Sequence, residues 1–387
     1  MLARTSDARP PTMGGVISGD NMWAMPAAHY QHHNQWARAV PNRPWPGPVQ
    51  HIHTVPRQTY HGPPVPAAPG HRGAVDGPAA YQPRRRVRHP LVWAFFAVLF
   101  FLSGFVALLI TGFEVGLTGT LVGAVLAVLP LPVVLGAFLW LDRYENEPVP
   151  LLVLAFGWGA TVAMLVSLVL NTAGALVIMA GGGTPESTAV LVAPVVEELT
   201  KGAGVLVVLA ILRDRFDGVV DGLVYAGFVA AGFAYVENIL YFGRALQEAG
   251  GPGLTLVFLL RGVVSPFAHP MFTAAAGIGI GVAVSNRSTL IRVFAPLGGV
   301  AVAIALHALW NATAAFGGGL VFVLNVPVFV LFVVLVVYMR RREGFIIRRN
   351  LSTYAHFGWL SSPDVRMLDG WNAAPPATTR PPSNTAC

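Results

Sequence analysis

The sequence predicts an all-α, polytopic membrane protein with about eight transmembrane helices between disordered N- and C-terminal tails. Of its 387 residues, 54% are hydrophobic and 11% are charged, and so few charges cannot cover a water-soluble protein of this length. Apolar runs of about 18 residues or more, each long enough to cross a bilayer, recur from Leu91 to Met339. The membrane is therefore the expected solvent for most of the chain.

Three regions differ in composition. Residues 1–83 are rich in Pro, Gly, His and Arg and hold no apolar run that could form a core, so we predict a disordered cytoplasmic tail. Eight of the eleven histidines lie between His29 and His89, and we interpret them as part of a solvated tail. Residues 84–342 are the predicted membrane domain, and residues 343–387 are a second cytoplasmic tail.

Polar or glycine-rich breaks divide the membrane domain into separate spans. The spans are expected near 91–112, 117–141, 149–179, 188–212, 218–242, 255–285, 291–316 and 318–339. The third and sixth runs are longer than a straight span needs, and we expect the sixth to be broken at Pro266 or Pro270.

The arginines predict the orientation of these spans, because basic residues collect on the cytoplasmic side. Four arginines precede the first span, at 84–86 and 88, and Arg244 is the basic residue of the outer connections. The remaining connections carry Arg143, Arg213, Arg215, Arg287, Arg292, Arg340, Arg341 and Arg342. Both termini are therefore expected in the cytoplasm of a bacterial cell, and the net charge of +7 indicates membrane orientation and no nucleic-acid partner.

Ionisable residues inside the predicted spans indicate the functional site. Such a residue at the bilayer centre costs about 2.5–3.5 kcal/mol, so it is found where it pairs, coordinates or catalyses. The polar residues of the fourth to seventh spans are Glu197, Glu198, Lys201, Asp221, Glu237, Asn238, Arg261, His269, His307 and Asn311.

Helical spacing and depth group these residues. Lys201, the one lysine of the chain, lies three or four positions from two glutamates and can neutralise one of them. Four residues from four different spans fall in the outer half of the membrane, which predicts a single cavity. They are Glu197, Glu237, His269 and His307.

Two carboxylates and two imidazoles around one cavity suit the activation of water in two ways. With a divalent metal, most consistent with zinc, His269, His307 and Glu237 would be ligands and a second glutamate the base. Without a metal, a glutamate would deprotonate water while His and Asn stabilise the oxyanion. The sequence leaves both mechanisms open, and it contains no His-Glu-x-x-His zinc motif.

Other interpretations compete with hydrolysis. A proton-coupled transporter or a non-enzymatic membrane scaffold would also bury carboxylates, although neither needs two histidines on separate helices. Asp221 is predicted near the cytoplasmic end of its span, and Arg261 is expected to reach the outer interface.

The chain resembles the PrsW family of bacterial intramembrane proteases in its motifs Glu197–Lys201 and Phe233–Asn238 and in the solitary His269 and His307. The resemblance covers about residues 91 to 342 and leaves out both tails.

Membership would imply kinship with the CAAX-processing proteases and the bacteriocin-immunity-type membrane peptidases. By this resemblance Glu197 or Glu198 activates water, and Glu237, His269 and His307 complete the site. Supporting roles fall to Lys201, Asn238, Asn311 and Asp221. The resemblance further implies a membrane-anchored protein substrate, such as an anti-sigma factor that receives its first cut in regulated proteolysis.

Overall fold

The computed structural model describes residues 90–144, 146–211, 216–316 and 319–356, with side chains omitted for residue 316 and for 352–356. Every regular element in these ranges is helical, so the predicted all-α class is confirmed for them. The predicted tail 1–83 lies outside the described residues.

The first two helices form one long apolar stretch. α1 (Pro90–Val128) is followed by α2 (Leu131–Leu141) and by a 3₁₀ turn at Asp142–Tyr144. α1 bends at Gly116, whose φ of 65° is open to glycine and strained for residues with a Cβ. The bend falls where the sequence predicted the connection between the first and second spans.

The next stretch continues through a π-helical turn. α3 (Val149–Gly157), the π turn Trp158–Ala163 and α4 (Met164–Ala180) are joined without a break. The π turn brings the indole Nε1 of Trp158 to the carbonyl of Thr200, to which it donates a hydrogen bond of 3.0 Å.

The predicted span 188–212 is divided into α5 (Pro185–Leu191) and α6 (Ala193–Ile211), so a single helix was the wrong expectation there. Pro194 stands at the second position of α6. It has no N–H to give to the preceding turn, so the hydrogen-bond ladder is interrupted at the point where α6 begins.

α7 (Val219–Phe258) lies at the centre of the bundle, and residues 221–233 are all buried. It bends at Gly250, where φ is 60°, and leads through the π turn Leu259–Val264 to α8 (Ala268–Val284). The expected break of the sixth run is confirmed at residues 265–267, which include Pro266.

α9 (Thr289–Phe316) and α10 (Leu320–His356) complete the fold. Residues 343–356, predicted to belong to a disordered C-terminal tail, are instead helical, because α10 continues to His356. Residues of α10 beyond the apolar run still contact other helices. The guanidinium of Arg340 lies 3.7 Å from the ring centre of Trp140, and Gly344 lies against Tyr144. Residues 357–387 lie outside the described ones.

Glycines allow the helices around the site to approach closely. A Cβ added to Gly222 of α7 would lie 2.1 Å from the carbonyl oxygen of Gly277 in α8, and one added to Gly279 would lie 2.4 Å from the carbonyl oxygen of Ala295 in α9. Small residues at such crossings are typical of membrane helices, where close van der Waals packing drives association.

Five helical stretches of the described chain are long and apolar enough to cross a membrane, judged by length and composition. They are Pro90–Tyr144, Val149–Ala180, Val219–Val284, Thr289–Ala315 and Leu320–Leu351. Their outward faces carry large exposed apolar side chains, such as Phe105, Leu121 and Val330, which lipid solvates and water does not. The count of eight spans remains a prediction.

Candidate active site

Side chains from four helices line one cavity of ≈ 850 Å³. Glu197 comes from α6, Glu237 from α7, His269 from the first turn of α8 and His307 from α9. These are the four residues for which the sequence predicted a shared cavity, so the structure brings them together as expected.

Lys201 neutralises the buried glutamates. Its Nζ donates to Glu198 Oε1 at 2.8 Å and to Glu197 Oε2 at 3.3 Å. Lys201 and Glu198 are fully buried, and Glu197 is 5% exposed. Buried charges of this kind persist only when they are paired and hydrogen-bonded, and the i,i+3 and i,i+4 spacing on α6 achieves both.

The two glutamates face different surroundings. Glu198 Oε1 also accepts a hydrogen bond of 3.0 Å from His307 Nδ1. Glu198 Oε2 accepts one of 2.8 Å from Thr273 Oγ1. Glu198 is therefore enclosed by partners. Glu197 instead lines the cavity, where a substrate or water can reach it.

Hydrogen bonding fixes the tautomer of His307. An ionised carboxylate only accepts, so His307 Nδ1 carries the proton that it shares with Glu198. The lone pair of the neutral ring is then on Nε2, which lies 3.9 Å from Glu197 Oε2.

The opposite tautomer follows for His269. Lys201 Nζ lies 3.0 Å from His269 Nδ1, and because an ammonium only donates, Nδ1 is the acceptor. His269 Nε2 then donates to Glu237 Oε2 at 2.7 Å. The lone pair of His269 is therefore engaged by Lys201, whereas that of His307 Nε2 lies near Glu197 without a hydrogen bond from the ammonium.

Arg261 belongs to the site and does not reach outward as expected. Its guanidinium pairs with Glu237 Oε2 and donates from Nε to Asn238 Oδ1 at 2.7 Å. The π turn Leu259–Val264 carries Arg261 back over α7, and such turns are frequent at functional sites. Sequence spacing could not reveal this contact, since it depends on the bend between α7 and α8.

Two predicted supporting residues lie in different places. Asn311 lines the cavity and donates to the carbonyl of Ala189 at 2.7 Å. Asp221 instead accepts from the backbone N–H groups of Asp217 and Gly218 at 2.8 and 3.1 Å. It lies 16 positions, or about 24 Å, from Glu237 along α7. Asp221 therefore caps a helix and is not brought to the cavity.

Sequence reasoning missed Asn171. This residue of α4 lines the cavity and donates from Nδ2 to Glu197 Oε1 at 3.2 Å. Neutral polar residues are common in apolar helices and carry little signal by themselves. Thr273 is likewise a neutral polar residue, and its hydrogen bond to Glu198 could not be predicted from the sequence.

The donor groups of Glu197, His269 and His307 fit a metal ion. One ligand atom of each lies within 4.8 Å of the others. Two imidazoles and one carboxylate form a known zinc-binding set. The other nitrogen of each imidazole donates a hydrogen bond to a carboxylate, as in metal-binding histidines. His307 donates to Glu198, and His269 donates to Glu237. The expected third ligand was Glu237, whereas this grouping contains Glu197. Lys201 Nζ would have to leave His269 Nδ1 for a metal to bind there.

Comparisons with known proteins match part of this chain to one family and to two relatives. The family described as PrsW family intramembrane metalloprotease matches residues 147–339. Protease PrsW of Clostridioides difficile (strain 630) is 32% identical over 151 residues, 38% of this chain and 60% of that protein. Protease PrsW of Geobacillus kaustophilus (strain HTA426) is 29% identical over 155 residues, 40% of this chain and 63% of that protein. No solved structure matches this chain significantly.

The chain therefore spans less than two thirds of the length of these two relatives. The matched region nevertheless holds every residue that lines the cavity except Ile110 and Glu114 of α1. Together with the multi-pass helical architecture, the match confirms the resemblance that the motifs indicated. Residues 147–339 of this chain belong to the PrsW family of intramembrane metalloproteases.

Proposed function

We propose that the protein is an intramembrane peptidase that hydrolyses a peptide bond of a membrane-anchored protein near the extracytoplasmic face. The observation that carries this proposal is the convergence of Glu197, Glu237, His269 and His307 on one ≈ 850 Å³ cavity. A cavity of this size admits a stretch of polypeptide, and carboxylates beside imidazoles suit water activation.

The hydrolytic step needs one carboxylate that reaches both water and the leaving group. Glu197 takes a proton from water, and the water oxygen attacks the carbonyl carbon. The C–N bond then breaks, and Glu197 returns the proton to the leaving amine nitrogen. Glu198 serves a different purpose, because its enclosure by Lys201, Thr273 and His307 suits it to orient His307.

A metal-assisted form of this step would change the role of Glu197, which would be a ligand while a second glutamate acts as the base. Glu197, His269 and His307 would hold one divalent ion, most consistent with zinc, which supplies Lewis acidity to a bound water when present. Elemental analysis of the purified protein, together with activity after chelation, separates the two forms. Full activity of metal-free protein favours the glutamate mechanism, and stoichiometric metal that is lost in His307→Ala favours the metal mechanism.

The proposed topology has eight spans in the bacterial cell membrane, with both termini in the cytoplasm. The bends at Gly116 and Gly250 support it, because each divides a long apolar stretch where an outer connection is predicted. Glu114 and Arg244, predicted on the same outer side, form an ion pair. α6 adds a span that carries three charged residues, Glu197, Glu198 and Lys201.

The proposed substrate is a single-span protein such as an anti-sigma factor, which the family resemblance supports. Mapping of new protein termini in membranes of cells that express wild type, Glu197→Gln or Glu186→Gln tests this assignment. Glu186 is exposed on α5 outside the cavity, so Glu186→Gln is the matched control. Termini within the outer half of membrane spans should disappear in Glu197→Gln and persist in the control. The absence of any Glu197-dependent terminus would contradict a peptidase.

A further inference from the structure

Two buried polar atoms beside the candidate site have no hydrogen-bond partner among the described residues. They are Asn171 Oδ1 and Thr188 Oγ1, and both residues line the cavity. Thr188 is only 7% exposed. Buried side-chain oxygens without a partner are few in folded proteins, and each is costly to leave unsatisfied. A ligand that occupies the cavity would remove this cost.

The hydrogen bond of Asn171 to Glu197 shows which atom of the amide is left without a partner. Nδ2 donates to Glu197 Oε1 at 3.2 Å, and because the carboxylate accepts, the amide nitrogen must be the atom that faces it. Asn171 Oδ1 is therefore a hydrogen-bond acceptor. The Nδ2 atom of the same amide holds it close to Glu197, the carboxylate proposed to activate water. Thr188, on α5, adds a hydroxyl that can donate or accept.

Main-chain amides of a substrate match these two groups. A transmembrane helix satisfies its own N–H and C=O groups, and the peptide bond that is cut becomes accessible only when a turn of this helix unwinds. Unwinding frees backbone donors and acceptors that need partners away from bulk water. Asn171 Oδ1 can accept from a freed N–H, and the Thr188 hydroxyl can pair with a freed C=O or N–H.

We propose that Asn171 and Thr188 form a main-chain subsite that holds an unwound stretch of the substrate beside Glu197. This inference rests on the proposed peptidase function and assigns two residues that position the substrate. Because the subsite binds main-chain N–H and C=O groups, it selects for segments that unwind easily and not for particular side chains.

Thr188→Val tests the subsite with little change in side-chain volume. The probe is a single-span reporter, a peptide with one apolar span, a glycine pair in the outer half of that span and a tag at each end. With full-length protein in liposomes, Thr188→Val should lower kcat/KM for the reporter by about 2- to 12-fold, the effect of one neutral hydrogen bond. Thr188→Ser, which keeps the hydroxyl, should stay close to wild type.

Two threonines provide matched controls. Thr172 lines the same cavity, but its hydroxyl is already bound to the carbonyl of Leu168 at 2.7 Å. Thr111 has a buried hydroxyl without a partner and stands on α1 outside the cavity lining. Thr111→Val should leave kcat/KM unchanged, and Thr172→Val should lower it less than Thr188→Val does. Equal losses in these controls and in Thr188→Val would overturn the subsite.

Stability and binding separate a positioning role from a structural one. Thr188→Val removes an unpaired hydroxyl from the interior, so its unfolding temperature should equal or exceed that of wild type. A lower unfolding temperature that accounts for the lost activity would overturn the proposal. In a Glu197→Gln background, Thr188→Val should also reduce photo-crosslinking of the reporter by a similar factor. Unreduced crosslinking refutes the subsite, whereas uncleaved reporter in wild type refutes the peptidase.

Discussion

Lys201 is the residue on which the charge balance of the site depends. It contacts two glutamates and His269 within 3.3 Å and is fully buried. Its ammonium also lies 4.1 Å from the ring centre of Phe233. Removal of this cation leaves two carboxylates in a low-dielectric interior, where an unpaired charge is far more costly than the pair.

We predict that Lys201→Met lowers the free energy of unfolding by about 3–5 kcal/mol, the usual cost of breaking a buried ion pair. Adding Glu198→Gln removes one of the stranded charges and should recover part of the loss, as coupled residues do in a double-mutant cycle. Thermal unfolding in lipid nanodiscs measures both variants. A Lys201→Met protein as stable as wild type would show that the ammonium is not needed.

Prediction at the residue scale succeeded where charge made residues conspicuous. Glu197, Glu237, His269 and His307 could be grouped because ionisable side chains are rare in membrane spans. Asn171 and Thr188 could not be found, since neutral polar residues carry no such signal. The different surroundings of Glu197 and Glu198 depend on helix rotation within the bundle, which adjacent positions on one helix do not reveal.

At the element scale, the crossing of α7 and α8 sets the distance between Glu237 and His269. Gly222 and Gly277 stand at this crossing with no room for a side chain between the two backbones. We expect the hydrogen bond of 2.7 Å between His269 and Glu237 to depend on this approach, because it holds the two helices together. The sequence predicted the two helices but not their contact, because a glycine in an apolar run is equally common at other places.

Gly222→Ala is therefore expected to push α8 away from α7, to lower the unfolding temperature and to reduce reporter cleavage at least tenfold. The matched control is Gly298→Ala on α9, where an added Cβ meets nothing within 4 Å. This control should be neutral or slightly stabilising, because alanine favours a helix by about 1 kcal/mol over glycine. If the two variants behave alike, the close crossing does not position the site.

On the scale of the whole molecule, orientation decides which side of the membrane the cut faces. The positions of the arginines predicted which connections lie on the cytoplasmic side and which on the outer side. The ion pair of Glu114 with Arg244 is consistent with this prediction, because both residues are predicted on the outer side. The helices themselves carry no such information, since an apolar surface is the same for either orientation. The length of α10 was likewise not predictable, because the helix continues beyond its apolar run, where Gly344 lies against Tyr144.

Cysteine labelling tests the topology in a simple background. Cys387 is the one cysteine of the chain, so Cys387→Ser gives a cysteine-free protein. We predict that Glu186→Cys reacts with a membrane-impermeant maleimide in intact cells, whereas Ser288→Cys reacts only after permeabilisation. Both positions are exposed, so access to reagent decides the outcome. The reverse pattern would invert the orientation, and equal labelling in intact cells would refute the span order.

The central claim is that Glu197 activates water to hydrolyse a peptide bond within the membrane. The most direct measurement is cleavage of the single-span reporter by purified protein in liposomes prepared in H₂¹⁸O, with mass spectrometry of the products. We predict a cut in the outer half of the span, one ¹⁸O in the new carboxylate and no product with Glu197→Gln. Cleavage that persists in Glu197→Gln, or wild-type protein that leaves the reporter intact, would contradict this claim.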